Sequence, residues 1–256
     1  MRTHALKQLT FLLTLLLLPP PAHATDNSLV VFSGGAVKSA LTDTIAVFEK
    51  SAGLRVSADF APMGTLRKKI EDGAQADVLV LASEVMDEAE RKGWVVPGTA
   101  VELGRIGVGV AVNEKATAPD ISTPDAFKAT LLAARSIVMI NPATGTSGRH
   151  LAQVFDQLGI ADALKPKTTY LEGGYVVEAV GRGEIEIGLH QITEILPVKG
   201  IKLVGPLPGP LQKVTIYAAA VTKSPARADD ARRLLAFLRT PEMQATFAAK
   251  GFLAAP

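Results

Sequence analysis

The apolar positions of the chain fall into short blocks that change period again and again. Leu29-Val30-Val31-Phe32 has the look of a buried strand, and Val37, Leu41, Ile45 and Phe48 then recur at helical spacing. Residues 54–60 alternate as a strand, 65–70 are helical, and Val78-Leu79-Val80-Leu81 is a second buried run. A helix over 84–92 stops at Gly93, where a left-handed cap is expected. A long glycine-bearing strand is expected over 103–112, and Thr123 followed by Pro124 is an N-cap with proline at the first helical position. The pattern resumes with a strand at 137–140, a helix at 148–158, a strand at 169–171, a helix at 175–182 and a strand at 185–189. Residues 205–210, Gly-Pro-Leu-Pro-Gly-Pro, are the strongest linker signal, and beyond them lie one strand (214–221) and two helices (228–238 and 242–249).

Alternation of this kind is the signature of an α/β fold. The tail after Pro210 is too short to stand alone, so it is expected to return and complete the first unit. That gives one lobe of residues 25–107 with 206–256, a second of 108–205, and crossings at the 103–112 strand and the proline-rich stretch. Ligands in such folds sit beyond the carboxyl ends of strands, in a cleft between the lobes.

The first 24 residues change the picture of where the protein works. Arg2 and Lys7 precede an apolar run over 9–18, and Ala22-His23-Ala24 has the small residues of an export cleavage site. The run is about half of what a spanning helix needs, so a cleavable signal peptide and a periplasmic destination are expected. The chain has no cysteine, which excludes thiolate nucleophiles, disulfides and thiolate metal sites. Two of the 27 basic residues and none of the 25 acidic ones lie in that leader, so the remainder is formally neutral. A neutral chain with 5% aromatics has no footprint for nucleic acid or for stable membrane insertion.

Four turns between strand and helix are built from small residues: Ser33-Gly34-Gly35-Ala36, Pro62-Met63-Gly64-Thr65, Gly145-Thr146-Ser147-Gly148 and Glu172-Gly173-Gly174. Each can present backbone N–H groups to an anion at a helix N-terminus. Lys38, Arg67 and Arg149 fall near the starts of the helices, where a cation opposes the macrodipole unless a ligand or solvent rewards it. Outside the leader the only histidines are His150 and His190, both where the topology places cleft residues. Their spacing is not that of a metal pair, and no metal or cofactor is expected. Nucleophile-elbow, dinucleotide and phosphate-loop patterns are all incomplete.

The order of motifs from Leu29 onward resembles the periplasmic molybdate-binding proteins of ABC importers. The resemblance rests on Val31-Phe32 with its small-residue turn, Gly64-Thr65-Leu66 with Ile70, and Gly73-Ala74-Gln75-Ala76-Asp77-Val78. It rests further on Asn141-Pro142-Ala143, Gly148-Arg149-His150 and Gly183-Glu184-Ile185-Glu186-Ile187-Gly188. It implies a two-lobe periplasmic-binding-protein fold of the type II kind. The family's oxyanion-holding serines correspond to Ala36 and Gly64 here, and its late tyrosine to Gln191. Hydroxyl donors are thus missing where Lys38, Arg67, Arg149, His150 and His190 border the same turns, a pattern suited to an organic polycarboxylate.

An exported enzyme that interconverts trans- and cis-aconitate shares this fold, and the resemblance implies that activity. Such a reaction needs one base near neutral pKa and anion stabilisers, with no cofactor. His150 or His190 is the expected proton shuttle, with His150 favoured because a helix N-terminus keeps it neutral. Ser33, Gly35, Lys38, Gly64, Thr65, Arg67, Ser147, Arg149, Tyr175, Gln191 and Thr193 are the expected substrate-binding residues. The alternative is a receptor that hands a small anion, carboxylate before molybdate or tungstate, to an importer permease.

Overall fold

A computed structural model describes residues 28–253. The expected signal peptide, residues 1–24, lies outside them.

Ten strands form two five-stranded sheets. In chain order the strands are β1 (Leu29–Gly34), β2 (Val56–Ala61), β3 (Val78–Ala82), β4 (Val101–Ile106) and β5 (Val108–Asn113). They continue with β6 (Ile137–Ile140), β7 (Thr168–Leu171), β8 (Ile187–Gln191), β9 (Ile201–Pro206) and β10 (Thr215–Val221). The first sheet runs β2-β1-β3-β10-β4 and the second β7-β6-β8-β5-β9. In each, three strands run parallel and the two added at one side are antiparallel to their neighbours. Helices cover both sheets: α1 (Lys38–Ala52), α2 (Met63–Glu71), α3 (Ser83–Arg91), α4 (Pro124–Ala133) and α5 (Thr146–Gln157). The short turns α6 (Ala161–Leu164), α7 (Glu178–Gly181) and α8 (Ile192–Ile195) precede α9 (Ala228–Leu238) and α10 (Pro241–Ala249). Among the described residues no helix is long and apolar enough to cross a membrane.

The buried faces explain the alternation in the sequence. β3 is buried at every position, and α1 contributes Leu41, Ile45 and Phe48 to the same core. The second sheet has its own core around Phe127, Leu131, Met139, Leu151 and Phe155. Parallel strands covered on both faces read as unbroken apolar runs, which is why β1, β3 and β6 were legible.

Four expectations are corrected. The single strand over 103–112 is two strands in different sheets, broken at Gly107; an apolar run on both sides of the break hides it. The 205–210 stretch begins inside β9, and Leu207 and Leu211 are packed in the second core, so the return crossing falls at residues 212–214. The strand expected at 185–189 lies at Ile187–Gln191, which puts His190 and Gln191 in the strand itself. The helix expected at 175–182 is reduced to Glu178–Gly181, because Gly173 and Gly174 hold positive φ and lead Tyr175 into a turn.

The two crossings lie side by side. The Gln212 amide accepts from Val108 N at 2.9 Å and donates to Val108 O at 2.8 Å, closing a bidentate bridge between them. A buried polar group anchors the first lobe. Asp77, 2% exposed, accepts from Val30 N at 2.8 Å and from Arg227 N at 2.9 Å, joining the start of β1 to the start of α9. Asp77→Ala strands two backbone donors and is expected to destabilise the protein by at least about 1–3 kcal/mol, while Asp77→Asn loses less. Urea unfolding midpoints of the two variants, compared with the parent, check the order.

Candidate functional site

A cavity opens between the sheets where the carboxyl ends of β1, β2, β6 and β8 face one another. The cavity volume is about 70 Å³. From the first lobe Gly35, Ala36, Lys38, Phe60 and Tyr217 line it; from the second come Thr146, Ser147, Gly174, Tyr175, His190, Gln191 and Glu194. Two of the small-residue turns therefore meet here as helix starts. Neither the single turn Gly35–Val37 leading into α1 nor α5 has a side chain capping its first N–H groups. Those donors are left for a ligand or solvent.

The polar floor of the cavity comes from the end of β8 and the turn after it. His190 is 1% exposed, and its Nδ1 lies 3.3 Å from Ser147 Oγ, which fixes the ring. Its Nε2 approaches Glu194 Oε1 at 3.4 Å without the alignment of a hydrogen bond and is otherwise without a protein partner. Burial pushes the imidazole down to about 4, an effect the Gly174 backbone offsets only in part. Burial also pushes the Glu194 carboxyl up to about 8 against the pull of Lys38. Both groups are therefore neutral near pH 7. Gln191 Nε2 donates to the Tyr217 hydroxyl at 3.0 Å, across the two sheets, and its Oε1 has no protein partner. Burial raises Tyr217, and to a lesser degree Tyr175, so both phenols stay protonated.

The expected site residues divide sharply. Gly35, Lys38, Ser147, Tyr175, His190 and Gln191 line the cavity. Lys38 is the only basic side chain doing so among the described residues, its Nζ 5.3 Å from the centre of the Tyr175 ring. Arg67 turns instead to α3, where it pairs with Glu88 at 3.0 Å. Arg149 is exposed beside α3, where its charge adds to the Lys213 hydrogen bond that chiefly lowers the Glu84 carboxyl. His150 stands outside the cavity with Nε2 donating to Leu211 O at 2.8 Å, and burial lowers its pKa. Ser33 donates to Gly34 O, and Thr193 is buried without a partner for its hydroxyl; neither lines the cavity.

Gly64 and Thr65 border a separate open hollow beside Thr144. Gly64 N donates to Thr144 O at 2.9 Å, and a Cβ there would lie 3.1 Å from that backbone, so no serine fits in this closed arrangement without a shift. Glu194, Tyr217 and Thr146 were missed. The available signal was His190 and Glu194 four apart, a spacing that places both on one side of a helical turn. Among the described residues, no three His, Asp or Glu side chains gather closely enough to hold a metal ion.

Two α/β lobes that enclose a polar cavity between facing helix N-termini define a protein built to hold a small solute. The chain belongs to the bacterial extracellular solute-binding protein family, whose model matches residues 29–253. It is 29% identical over 222 residues to the aconitate isomerase of a Pseudomonas species, covering 84% of each chain. It is 26% identical over 234 residues to the molybdate-binding protein ModA of Escherichia coli K12, covering 90% of this chain and 91% of that one. The two-lobe periplasmic-binding-protein fold is shared with the Azotobacter vinelandii periplasmic molybdate-binding protein, at a TM-score of 0.76 and 19% identity over 90% of this chain and all of that one.

The two buried titratable groups leave opposite marks on stability. Glu194 has an ordinary value of 4.5 and a folded value of about 8. Between these the unfolded chain holds fewer protons, so stability falls as pH rises, by about 1.4 kcal/mol per unit, and levels off above pH 8. His190 has an ordinary value of 6.5 and a folded value of about 4, so its contribution rises with pH between them. The slopes oppose each other from about 4.5 to 6.5 and leave a net fall from about 6.5 to 8. Glu194→Gln is expected to remove the falling limb. Urea unfolding from pH 4 to 9 should show the stability difference between parent and variant changing across that window; a pH-independent difference contradicts the assignment.

Proposed function

We propose that the protein isomerises aconitate, interconverting the trans and cis forms by a cofactor-free proton shift in the cavity between its lobes. His190 carries this reading. It is a neutral, dry imidazole with an unpartnered Nε2, in a cavity that also holds Lys38 and two uncapped helix starts. Similarity to an aconitate isomerase over most of both chains supports it.

In the proposed reaction His190 takes a proton from the substrate CH₂ group. The electron pair left behind spreads over the allyl carbons and into the attached carboxylates. Return of a proton at the former vinyl carbon shifts the double bond and gives the other isomer. Lys38 and the backbone N–H groups of Gly35, Ala36, Thr146 and Ser147 would hold the carboxylates, in a dry site where fixed donors act strongly. An imidazole with a folded pKa of about 4 is a weak base alone. Bound carboxylates favour its charged form and raise its basicity as the substrate arrives. Ser147, through Nδ1, keeps the ring aimed. The lobes in this reading are the first sheet with residues up to 107 and the tail after 211, and the second sheet with residues 108–211, hinged at the Gln212 bridge. The site of action is the periplasm.

A receptor role is the second reading, favoured by the ModA likeness and by helix N-termini that suit any small anion. Under it the histidine is a ligand contact and an importer permease is the partner.

Purified protein mixed with trans-aconitate and followed by proton NMR separates the two. Turnover is expected, with His190→Gln lowering kcat by about 10²–10⁴-fold while substrate still binds. Lys38→Met should weaken binding about ten- to a hundredfold, as for a lost charge-assisted contact. Binding of trans-aconitate without conversion assigns the chain to the receptors, and calorimetry showing tight molybdate binding with no carboxylate binding ends the isomerase reading.

A further inference from the structure

A proton shift between two carbons needs a group that takes a proton and a group that gives one. His190 and Glu194 lie four residues apart, one near the end of β8 and the other in α8, and both line the cavity. Their facing atoms, Nε2 and Oε1, are 3.4 Å apart. The two reacting carbons of an allyl system are separated by two C–C bonds, roughly 2.5 Å. A histidine and a carboxyl at this spacing can address both carbons from one face of the substrate.

The fold makes room for the second group deliberately. A Cβ at position 35 would lie 2.8 Å from Glu194 Oε1, so Gly35 is what lets the carboxyl rest against the start of the first helix. Lys38 from α1, His190 from β8, Tyr175 from the turn before α7 and Tyr217 from β10 surround it. None forms a hydrogen-bonded ion pair that would lock the carboxyl in its charged form.

The geometry points to Glu194 as the second proton-transfer group of the site, serving one substrate carbon while His190 serves the other. This rests on the isomerase reading. With Nδ1–H donating to Ser147, the Nε2 lone pair removes the CH₂ proton and becomes N–H. The Glu194 carboxyl gives its proton to the carbon at the far end of the allyl system and becomes a carboxylate. Exchange of both groups with solvent once the product leaves restores the neutral pair, and no net acid or base is consumed. Glu194→Gln keeps the shape and neutrality of the protonated carboxyl but cannot give up a proton in this way, so it separates transfer from simple contact.

The experiment follows trans-aconitate in deuterated water by NMR. The parent protein should isomerise it and place solvent deuterium on the newly formed CH₂ group. Glu194→Gln should isomerise about 10²–10⁴-fold more slowly, yet still wash deuterium into the original CH₂ position within about tenfold of the parent rate, because His190 still takes and returns that proton. His190→Gln should lose both processes. Gly35→Ala, which displaces the carboxyl without removing it, should show the same uncoupling to a smaller degree. Near-parental isomerisation by Glu194→Gln overturns the proposal, as does loss of exchange in step with isomerisation, or a parent product that keeps the substrate's own hydrogen at the shifted carbon. A parent protein that neither exchanges nor isomerises overturns the isomerase reading itself, a different outcome from failure of Glu194 alone.

Discussion

The molecule depends on the place where its chain crosses twice between two sheets. At the first crossing β4 stops at Ile106 and β5 starts at Val108 in the other sheet, with Gly107 alone between them. A strand that changes sheets leaves its peptide groups without a ladder, and buried backbone groups cannot stay unpaired. The Gln212 side chain, on the returning crossing, bonds both the N–H and the carbonyl of Val108, while backbone N–H groups of Leu207 and Ile192 serve the Val108 and Gly107 carbonyls. One amide thus ties the two crossings together.

Closing two lobes over a polar floor has a chemical consequence. Water is excluded from His190 and Glu194, and both lose their charge to burial. A receptor for an inorganic oxyanion has use for fixed neutral donors, and this cavity retains them in its uncapped helix starts. It adds a neutral imidazole, a neutral carboxyl and the Lys38 ammonium. Fold alone does not separate binding from turnover, since function lives in the site. In the proposed reading the difference lies in a few side chains at the end of β8.

The cleft also shows how a cation near a helix start can be misread. Lys38, Arg67 and Arg149 look equivalent along the chain, because each follows a small-residue turn. Only Lys38 lines the cavity. Arg67 sits on the face of α2 that meets Glu88 of α3, and Arg149 points out beside the same helix. A rotation of one residue on a helix is about 100°, enough to send a long side chain from a ligand to a neighbouring helix. His150 and His190 divide for a similar reason: one lies along α5 and bonds the Leu211 carbonyl, the other ends a strand aimed at the cleft.

The sequence by itself determined the α/β class, most of the parallel strands, the return of the tail into the first sheet and the small-residue turns at the helix starts. These are local matters: apolar period, caps and glycines act within a few residues and leave their mark in order along the chain. The tertiary structure decided the break at Gly107, the strand hidden before the proline-rich stretch, which of the two histidines lines the cavity and the presence of Glu194 beside it. Each depends on what a residue faces across the cleft, and contacts between distant segments leave no period in the sequence. Glu194 is the plainest case. Beside Ile195 and Leu196 it reads as one acid at the edge of an apolar run, and only the packing of Gly35 against it makes it a buried group of the site.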